Sequence, residues 1–298
     1  MNIIKHKAKF LSFSGALVLI SIIALLGLGL KPGIDFRGGA LWQVRFENSQ
    51  VAINDIQNFL KTNEGIKDVV VFPSANNTFL IRMDNASEND HQKYLADIKN
   101  KFGNVDELQF ESIGPSIGKE TEQKAIWAII LVIIAISLYV AFAFRKVSFP
   151  IKSWKYGIIT VVTLFHDVII PAGFFAILGW KLGIEIDTNF VVALLVVMGF
   201  SVHDTIVVFD RIRENLMFQK GKEDFSETVN KSVVQTLARS INTSLTVIFV
   251  LSAMFLFGPV TLKYFILTLL VGIVAGTYSS IFVASPLLTI WHKYSKVK

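Results

Sequence analysis

The chain has 298 residues, of which 52% are hydrophobic and only 17% are charged. Soluble domains carry about 25% charged residues, so much of this surface is expected to face lipid rather than water. The sequence has no cysteine, which excludes disulfide bonds, thiolate catalysis and cysteine-ligated zinc. The formal net charge of +6 leaves nucleic acid binding open until the positions of the charges are considered.

Six apolar stretches are long enough to cross a bilayer, whose hydrocarbon core is about 30 Å thick. The first follows a tail with Lys5, Lys7 and Lys9, and its length and lack of a small-residue cleavage site predict a retained helix rather than a signal peptide. The turn residues Gly258 and Pro259 separate the last two stretches. The predicted spans are residues 10–30, 125–144, 156–180, 188–209, about 235–258 and 264–291.

Lysines and arginines near the ends of the spans predict the orientation of the chain. They are concentrated in the two tails, in the loop at 145–155 and in the segment at 211–239. The two short loops on the opposite side carry one each, Lys181 and Lys263. Both termini are therefore predicted to be cytoplasmic, and the basic balance is explained by topology rather than by nucleic acid binding.

The segment 31–124 is predicted to be an extracytoplasmic domain, placed between residues 1–30, the tail and first span, and residues 125–298, the membrane domain. Its patterns of alternating and amphipathic residues give the element order βαββαβ, which is that of a ferredoxin-like α+β domain. The predicted elements are strands at 40–46, 68–72, 78–83 and 105–112, helices at 51–60 and 87–102, and a turn at 74–77.

The core of this domain is predicted from the apolar residues of those elements. About 94 residues are enough to bury one small core. Ser87 is predicted to cap the second helix. The residues expected in or near the core are Leu41, Val44, Ile56, Leu60, Val70, Leu80, Leu95, Ile98 and Leu108.

Two glycine-rich motifs flank the domain. GIDFRGG at 33–39 needs backbone freedom and is interpreted as a tight entry from the first span into the first strand. IGPSIGKE at 113–120 resembles a nucleotide-binding loop, but its glycines are too close together and Glu120 replaces the required hydroxyl, so a structured turn is predicted instead. The residues assigned to these structural motifs are Gly33, Asp35, Gly38, Gly39, Gly114, Pro115 and Gly118.

Ionisable side chains inside the spans are the candidates for function, because charges at that depth usually face the bundle interior or a water-filled path. The alternative for each is a structural hydrogen bond or, near a helix end, a capping charge. Asp204 and Arg239 are predicted at similar depths, so the approach and withdrawal of the arginine could make the carboxylate release and take a proton. Pro171 is expected to kink the third span and to free the carbonyl of Asp167. The candidate ion-coupling residues are Asp204, Arg239, Thr205, His203, Asn242, Thr243, His166 and Asp167.

Together these motifs resemble the SecF family, subunits of the bacterial SecD–SecF protein-export complex and relatives of the RND transporters. The resemblance covers nearly the whole chain in order. It departs from the family at His203, where Asn is usual, and at Arg37, where Lys is frequent. His203 would add a titratable group beside the presumed coupling carboxylate. The matching motifs are GIDFRGG, IGPSIG, FHD in the third span, SVHDTIVVFDRIRE in the fourth and QTLARSINTSLT entering the fifth.

The resemblance implies a polytopic α-helical protein of the bacterial cytoplasmic (inner) membrane, with six RND-like transmembrane helices and an inserted ferredoxin-like domain. It implies an accessory subunit that works with a SecD-like subunit beside the SecYEG channel and uses the proton or sodium gradient to promote completion of preprotein translocation. Its partners would be these proteins, the exported unfolded preprotein and membrane lipid, with no nucleic acid. It would need no cofactor besides the coupling ion, and it would not be an enzyme or hydrolyse nucleotides.

Two other functions stay open at this stage. An RND-like exporter of a small molecule or lipid would fit the spans, although such exporters carry a second inserted domain and the loop after the third span has only about ten residues. A purely structural membrane scaffold would tolerate neutralisation of Asp204 and Arg239 without loss of activity.

Overall fold

The chain folds into two compact units, one of Met1–Lys31 with Trp127–Lys298 and the other of Pro32–Ile126. The computed structural model describes residues 2–47, 51–74, 76–145, 152–219 and 223–296. Parts of the predicted turn at 74–77 and of the predicted loops at 145–155 and 211–239 lie outside these residues.

Helices dominate the chain. Within the described ranges, six of them are long and apolar enough to cross a membrane, which confirms the predicted polytopic helical protein. The last of the six continues through a π-helical segment at Ser280–Ala284. In chain order the helices are α1 (Lys7–Leu28), α2 (Ile34–Arg37), α3 (Ile53–Asn63), α4 (Glu88–Phe102), α5 (Pro115–Ala143), α6 (Ser153–Leu182), α7 (Thr188–Gln219), α8 (Phe225–Phe257), α9 (Lys263–Ser279) and α10 (Ser285–Lys296).

Several helices extend beyond the predicted apolar stretches. Helix α5 begins at Pro115 rather than at 125, and α8 begins at Phe225 rather than near 235. The predicted turn at 113–120 is therefore wrong from Pro115 onward, because proline is well suited to a first helical turn, where its missing N–H is not needed. The apolar pattern marks only the part of a helix at lipid depth, while the polar ends stay helical by their own backbone hydrogen bonds.

The membrane unit is centred on three helices. Helices α6, α7 and α9 pack against one another, α8 packs on α7 and α9, and α1 packs on α6. About half of the apolar part of α6 and of α7 is buried within this chain, whereas α1, α5 and α8 are mostly exposed. The interior of the unit is therefore built where α6, α7, α8 and α9 meet.

The second unit contains a four-stranded antiparallel sheet with the order β2-β3-β1-β4. The strands are β1 (Gly39–Phe46), β2 (Val70–Pro73), β3 (Thr78–Met83) and β4 (Val105–Ile113). Helices α3 and α4 contribute Ile56, Leu60 and Ile98 to the core on one face. The order βαββαβ with these pairings confirms the predicted ferredoxin-like α+β domain.

Strand alternation decides which predicted core residues are inside. The face of β1 that carries Trp42 and Val44 is fully buried, so Leu41, on the opposite face, is only partly buried. Two residues three apart cannot share a strand face, and the joint prediction of Leu41 and Val44 was therefore wrong for Leu41. In the same way Leu80 lies opposite the buried Phe79 and Ile81.

Two further predicted core residues lie outside the core. Val70 is 45% exposed, because its neighbours Val69 and Val71 occupy the buried face. Leu108 is 47% exposed and lies at a bulge, where the pairing of β1 with β4 shifts by one residue. Val44, Ile56, Leu60 and Ile98 are fully buried and Leu95 packs against them, as predicted.

Candidate ion-coupling site

Buried polar side chains collect where α6, α7, α8 and α9 pack together. In such a dry interior each polar group needs a hydrogen-bond partner, because burying it without one costs free energy. The groups form two clusters. The Asp204 cluster contains Asp204, Ser244 and Thr277, and the Asp167 cluster contains Asp167, His166, Ser201 and Ser279.

Asp204 lies on the buried side of α7 and is only 2% exposed. Ser244 on α8 lies beside its carboxyl group, and the Ser244 hydroxyl donates a hydrogen bond to the carbonyl oxygen of Ser240 at 2.9 Å. Ser244 in turn lies 2.6 Å from the hydroxyl of Thr277 on α9. Within the described part of the chain, Oδ2 of Asp204 has no hydrogen-bond partner, so this carboxyl group is buried with one oxygen available.

Asp167 lies on α6 and is fully buried. Its Oδ2 accepts hydrogen bonds from the hydroxyls of Ser201 on α7 and of Ser279 on α9, the latter at 2.8 Å. Its Oδ1 lies 2.8 Å from Nδ1 of the neighbouring His166. Pro171, four residues further along α6, has no N–H to donate to the Asp167 carbonyl. Three helices therefore converge on this carboxylate.

Two glycines of α9 make this convergence possible. A Cβ built on Gly276 would lie 2.8 Å from Cβ of Ser201, and one on Gly272 would overlap Val197. The spacing of four residues places both glycines on the same face of α9, against α7. The close approach of these two helices brings Ser201 and Ser279 to the same carboxylate oxygen.

Arg239 is not brought to Asp204 within this chain. It is exposed on α8, whereas the adjacent Ser240 is buried, because successive residues of a helix point about 100° apart. Its guanidinium makes no ion pair or hydrogen bond with any residue that the structure describes. Gln235, one turn earlier, accepts a hydrogen bond from Arg211 of α7 at 2.6 Å. Arg239 thus lies at the depth of the α7 segment between Arg211 and Asp204.

The other predicted residues divide between the two sides of these helices. Thr205 is buried next to Asp204, and its hydroxyl has no partner among the described residues. His203 and Asn242 are exposed, and Thr243 is partly buried. The eight candidates therefore comprise a buried group of Asp204, Thr205, His166 and Asp167 and a more exposed group of Arg239, His203, Asn242 and Thr243.

Three hydroxyls of the two clusters were not predicted from the sequence. Ser244, Thr277 and Ser279 each lie in a run of small and polar residues whose helical face cannot be assigned without the neighbouring helix. The best signal for Ser279 was its position three residues after Gly276, on the face that packs against α7.

The two glycine-rich motifs lie together in the second unit. Gly38 has φ of +81°, and a Cβ on it would lie 2.8 Å from Cα of Pro115. A Cβ on Gly118 would lie 2.8 Å from the carbonyl oxygen of Phe36. Gly39 also has a positive φ, of +129°, while Gly33 precedes the single turn of α2 that contains Asp35. Gly114 lies between β4 and α5 and has open space around it.

Comparison with known families gives two matches. A family described as "Protein export membrane protein SecD/SecF, C-terminal" matches residues 93–294. A second, described as "SecD/SecF GG Motif", matches residues 23–50, which include Gly38 and Gly39. Together the two matches cover most of both units.

Individual proteins are similar over nearly the whole chain. A Thermobaculum terrenum protein named "Protein translocase subunit SecF" is 46% identical over 98% of this chain and 94% of that protein. One of the same name from Anaerolinea thermophila is 39% identical with the same coverage. A crystal structure of SecDF, described as a translocon-associated membrane protein from Thermus thermophilus, superimposes with a TM-score of 0.83 at 31% identity. It covers 98% of this chain, which spans only 38% of that chain.

Proposed function

The chain belongs to the SecD/SecF family of protein-export membrane proteins, and we propose that it is a SecF-like subunit that uses an ion gradient to promote completion of preprotein translocation. The family supports protein export as the process, with the chain as a transport component rather than an enzyme that hydrolyses nucleotides. The observation that supports ion coupling is Asp204, a carboxyl group buried within a membrane span with one oxygen unpaired among the described residues.

Proton binding at Asp204 would change the energetics of the helix bundle. An ionised carboxylate in this interior carries a large desolvation cost, which protonation removes. One charge that crosses the full membrane potential is worth about 2.3 kcal/mol per 100 mV. That is enough to shift the populations of two conformations that differ by a few kcal/mol. The proposed coupling ion is therefore the proton, with sodium as the alternative to be tested.

The polar residues on the exposed side of α8 support the proposal that a SecD-like subunit contacts this helix within the membrane. Arg239 and Asn242 project from a span whose surroundings in an isolated chain would be lipid. An arginine that faces lipid within a membrane helix is unfavourable unless it finds a partner. A neighbouring SecD-like subunit that presents a carboxylate or backbone carbonyls to this side would remove that cost. The solved relative named SecDF, which is longer than this chain, supports the same partner.

The remaining features of the proposal concern location. The chain would lie in the bacterial cytoplasmic (inner) membrane beside a SecYEG channel, with both termini in the cytoplasm. The ferredoxin-like unit would then lie on the far side, where the unfolded preprotein emerges. The lysine and arginine distribution supports this orientation.

Asp204→Asn is the direct test of the proposed coupling. Membrane vesicles that contain the variant, its SecD-like partner and the channel should lose the gradient-dependent part of preprotein export. The variant should still insert and co-purify with the partner, because asparagine keeps the size and hydrogen bonding of the side chain. The matched control is Asp210→Asn, also on α7, whose exposed carboxylate pairs with Arg213 at 2.7 Å. It should retain gradient-dependent export, and full retention by Asp204→Asn would refute the proposal.

Two further experiments identify the coupling ion and test the role of Arg239. A proton ionophore should abolish the stimulation, and a sodium-selective ionophore should leave it unchanged; the reverse pattern would assign sodium. Arg239→Met should remove gradient-dependent export as well. If Arg239→Met retains it, the arginine would have no role in coupling.

A further inference from the structure

His166 and Asp167 form a buried pair that the coupling at Asp204 does not use. Nδ1 of His166 lies 2.8 Å from Oδ1 of Asp167, and Oδ2 is occupied by the hydroxyls of Ser201 and Ser279. His166 is 4% exposed and Asp167 is fully buried. Nε2 of His166 has no hydrogen-bond partner among the described residues. The pair therefore has one free proton-binding atom in a dry interior.

The charge of the pair favours a proton at that atom. With a neutral imidazole that donates from Nδ1, the pair carries the full negative charge of the carboxylate in the bundle interior. A proton on Nε2 converts it to an imidazolium–carboxylate pair with no net charge. Burying an isolated charge requires far more free energy than burying a paired, hydrogen-bonded one. Proton uptake therefore lowers the free energy of the buried pair.

The described parts of α1, α7 and α9 nearest the pair provide no cation that could neutralise Asp167. Helix α1, packed against α6, has only uncharged residues along residues 10–28. Helix α9 presents Tyr278, whose ring lies 6.4 Å from that of His166, and the π-helical segment adds no charged residue. Helix α7 contributes Asp204, one turn from Ser201. A proton is thus the available counter-charge for Asp167.

The pair lies close to Asp204 along the bundle. Ser201 bonds to Asp167 and lies three residues before Asp204 on α7, so the two carboxylates are bridged by about one helical turn, roughly 5 Å along the axis. With the predicted orientation, Asp167 lies on the extracytoplasmic side of Asp204. Ser279 of this cluster is the last residue of α9 before the π-helical segment, and such segments occur frequently at functional sites.

The ligand set argues against a sodium ion at this pair. Sodium is held by oxygen ligands that turn their lone pairs toward the ion, whereas Oδ2 here lies within hydrogen-bond distance of two hydroxyl donors, of which Ser279 has the Gly276 carbonyl as a second acceptor. The third neighbour of the carboxylate is an imidazole nitrogen rather than an oxygen. The arrangement is that of donors around an anion, completed by a base that can accept a proton.

We propose that His166 and Asp167 form a second proton-binding site, which takes up one proton at Nε2 of His166 and lies in series with Asp204. This inference rests on the proposed proton coupling and extends it from one carboxylate to two stations. In the reaction a hydronium ion transfers a proton to the lone pair of Nε2 and leaves as water, so one O–H bond breaks as the N–H bond forms, and the hydrogen bond from Nδ1–H to Asp167 is retained.

Nitrogen NMR of the histidine rings tests the site without an export assay. The full chain, labelled with 15N-histidine and assembled with its unlabelled SecD-like partner in lipid nanodiscs, has five histidines, and the signals of His166 are assigned by their loss in His166→Gln. Spectra are recorded from about pH 8 to about pH 5, and the proposal requires signals of the Nδ1–H tautomer of His166 to be replaced by those of imidazolium as the pH is lowered. Asp167→Asn should lower the ratio of imidazolium to neutral imidazole at a given pH about tenfold or more, because the carboxylate that faces the imidazolium is removed. The exposed His6, changed to Gln, is the matched control and should leave the His166 signals unchanged.

Three outcomes decide the question. A single neutral tautomer of His166 throughout that pH range would overturn the second site. A titrating His166 together with loss of gradient-dependent export in His166→Gln would support it, since glutamine keeps a hydrogen-bond donor to Asp167 but binds no proton. Full gradient-dependent export in His166→Gln, with loss in Asp204→Asn, would overturn the second site and leave the proposed function intact. Failure of the proposed function would instead appear as export retained in Asp204→Asn.

Discussion

Gly38 shows at the scale of one residue how a missing side chain joins two distant motifs. Its φ of +81° lies where a side chain is strained, and Cα of Pro115 occupies the space in which a Cβ would lie. The glycine-rich motif at 33–39 therefore packs directly against the first turn of α5. The sequence predicted the need for backbone freedom, and the structure adds the reason for the close approach.

Gly38→Ala and Gly103→Ala distinguish the effect of backbone strain at positive φ from that of steric contact with Pro115. Both glycines have similar positive φ values, +81° and +89°, so both variants should lose about 1–3 kcal/mol of stability through backbone strain. Gly103 has open space around its Cα, whereas Gly38 does not, and the clash should add about 1–3 kcal/mol in Gly38→Ala. Thermal unfolding of the purified full chain measures the difference. Equal losses would mean that contact with Pro115 is unimportant.

Helix α9 shows at the scale of an element how small residues decide what a helix can bring together. Gly272 and Gly276 lie on the face against α7, and Ser279 follows one turn later on α9. In membrane bundles such small residues allow close backbone approach and thereby short interhelical hydrogen bonds. The approach of α7 to α9 is thus a precondition of the Asp167 cluster.

Gly276→Ala should disturb that approach. The added methyl group would lie 2.8 Å from Cβ of Ser201, so the helices must separate, at a cost of about 1–3 kcal/mol. Gly199→Ala on α7 is the control, because a Cβ there meets nothing within 4 Å and alanine favours the helix by about 1 kcal/mol. Thermal stability in nanodiscs should fall for the first variant and stay equal or rise for the second. Equal stability of the two would contradict this account of the packing.

Helix α4 carries a capping box that makes its stability depend on pH. The Ser87 hydroxyl donates to Asp90 at 2.7 Å, and the backbone N–H of Ser87 donates to the same oxygen at 3.2 Å. These hydrogen bonds, that of the hydroxyl first, hold the pKa of Asp90 below its ordinary value. Because the folded pKa is the lower one, the contribution is complete above the unfolded value and is lost as the pH falls through the folded value.

Asp90→Asn should therefore reduce the acid sensitivity of the first turn of α4, which hydrogen exchange of its backbone amides can follow as the pH is lowered. Ser87→Ala should destabilise the helix by about 1 kcal/mol. Asp55→Asn is the control, since Asp55 lies in the first turn of α3, whose N-cap makes no side-chain hydrogen bond. An unchanged pH profile in Asp90→Asn would show that another group controls acid sensitivity.

At the scale of the whole molecule the prediction is the orientation in the membrane. The chain has no cysteine, so single cysteines report position without background. Lys61→Cys on α3 and Lys293→Cys on α10 are matched exposed lysine substitutions. In intact spheroplasts an impermeant thiol reagent should modify the first and not the second, because the distribution of basic residues predicts that the termini are cytoplasmic. The opposite labelling pattern would reverse the topology.

The sequence by itself determined the number of membrane spans, the order of elements in the inserted domain and the residues worth testing. These follow from the length of apolar runs and from local periodicity, which are properties of neighbouring residues. Tertiary structure alone decided that Ser201 and Ser279 meet Asp167, across separations of 34 and 112 residues. It also decided that Arg239 faces outward while Ser240 is buried and Ser244 lies beside Asp204. The physical reason is that the face a helix turns inward is set by packing with its neighbours, and a uniformly apolar span carries little periodic signal to reveal it.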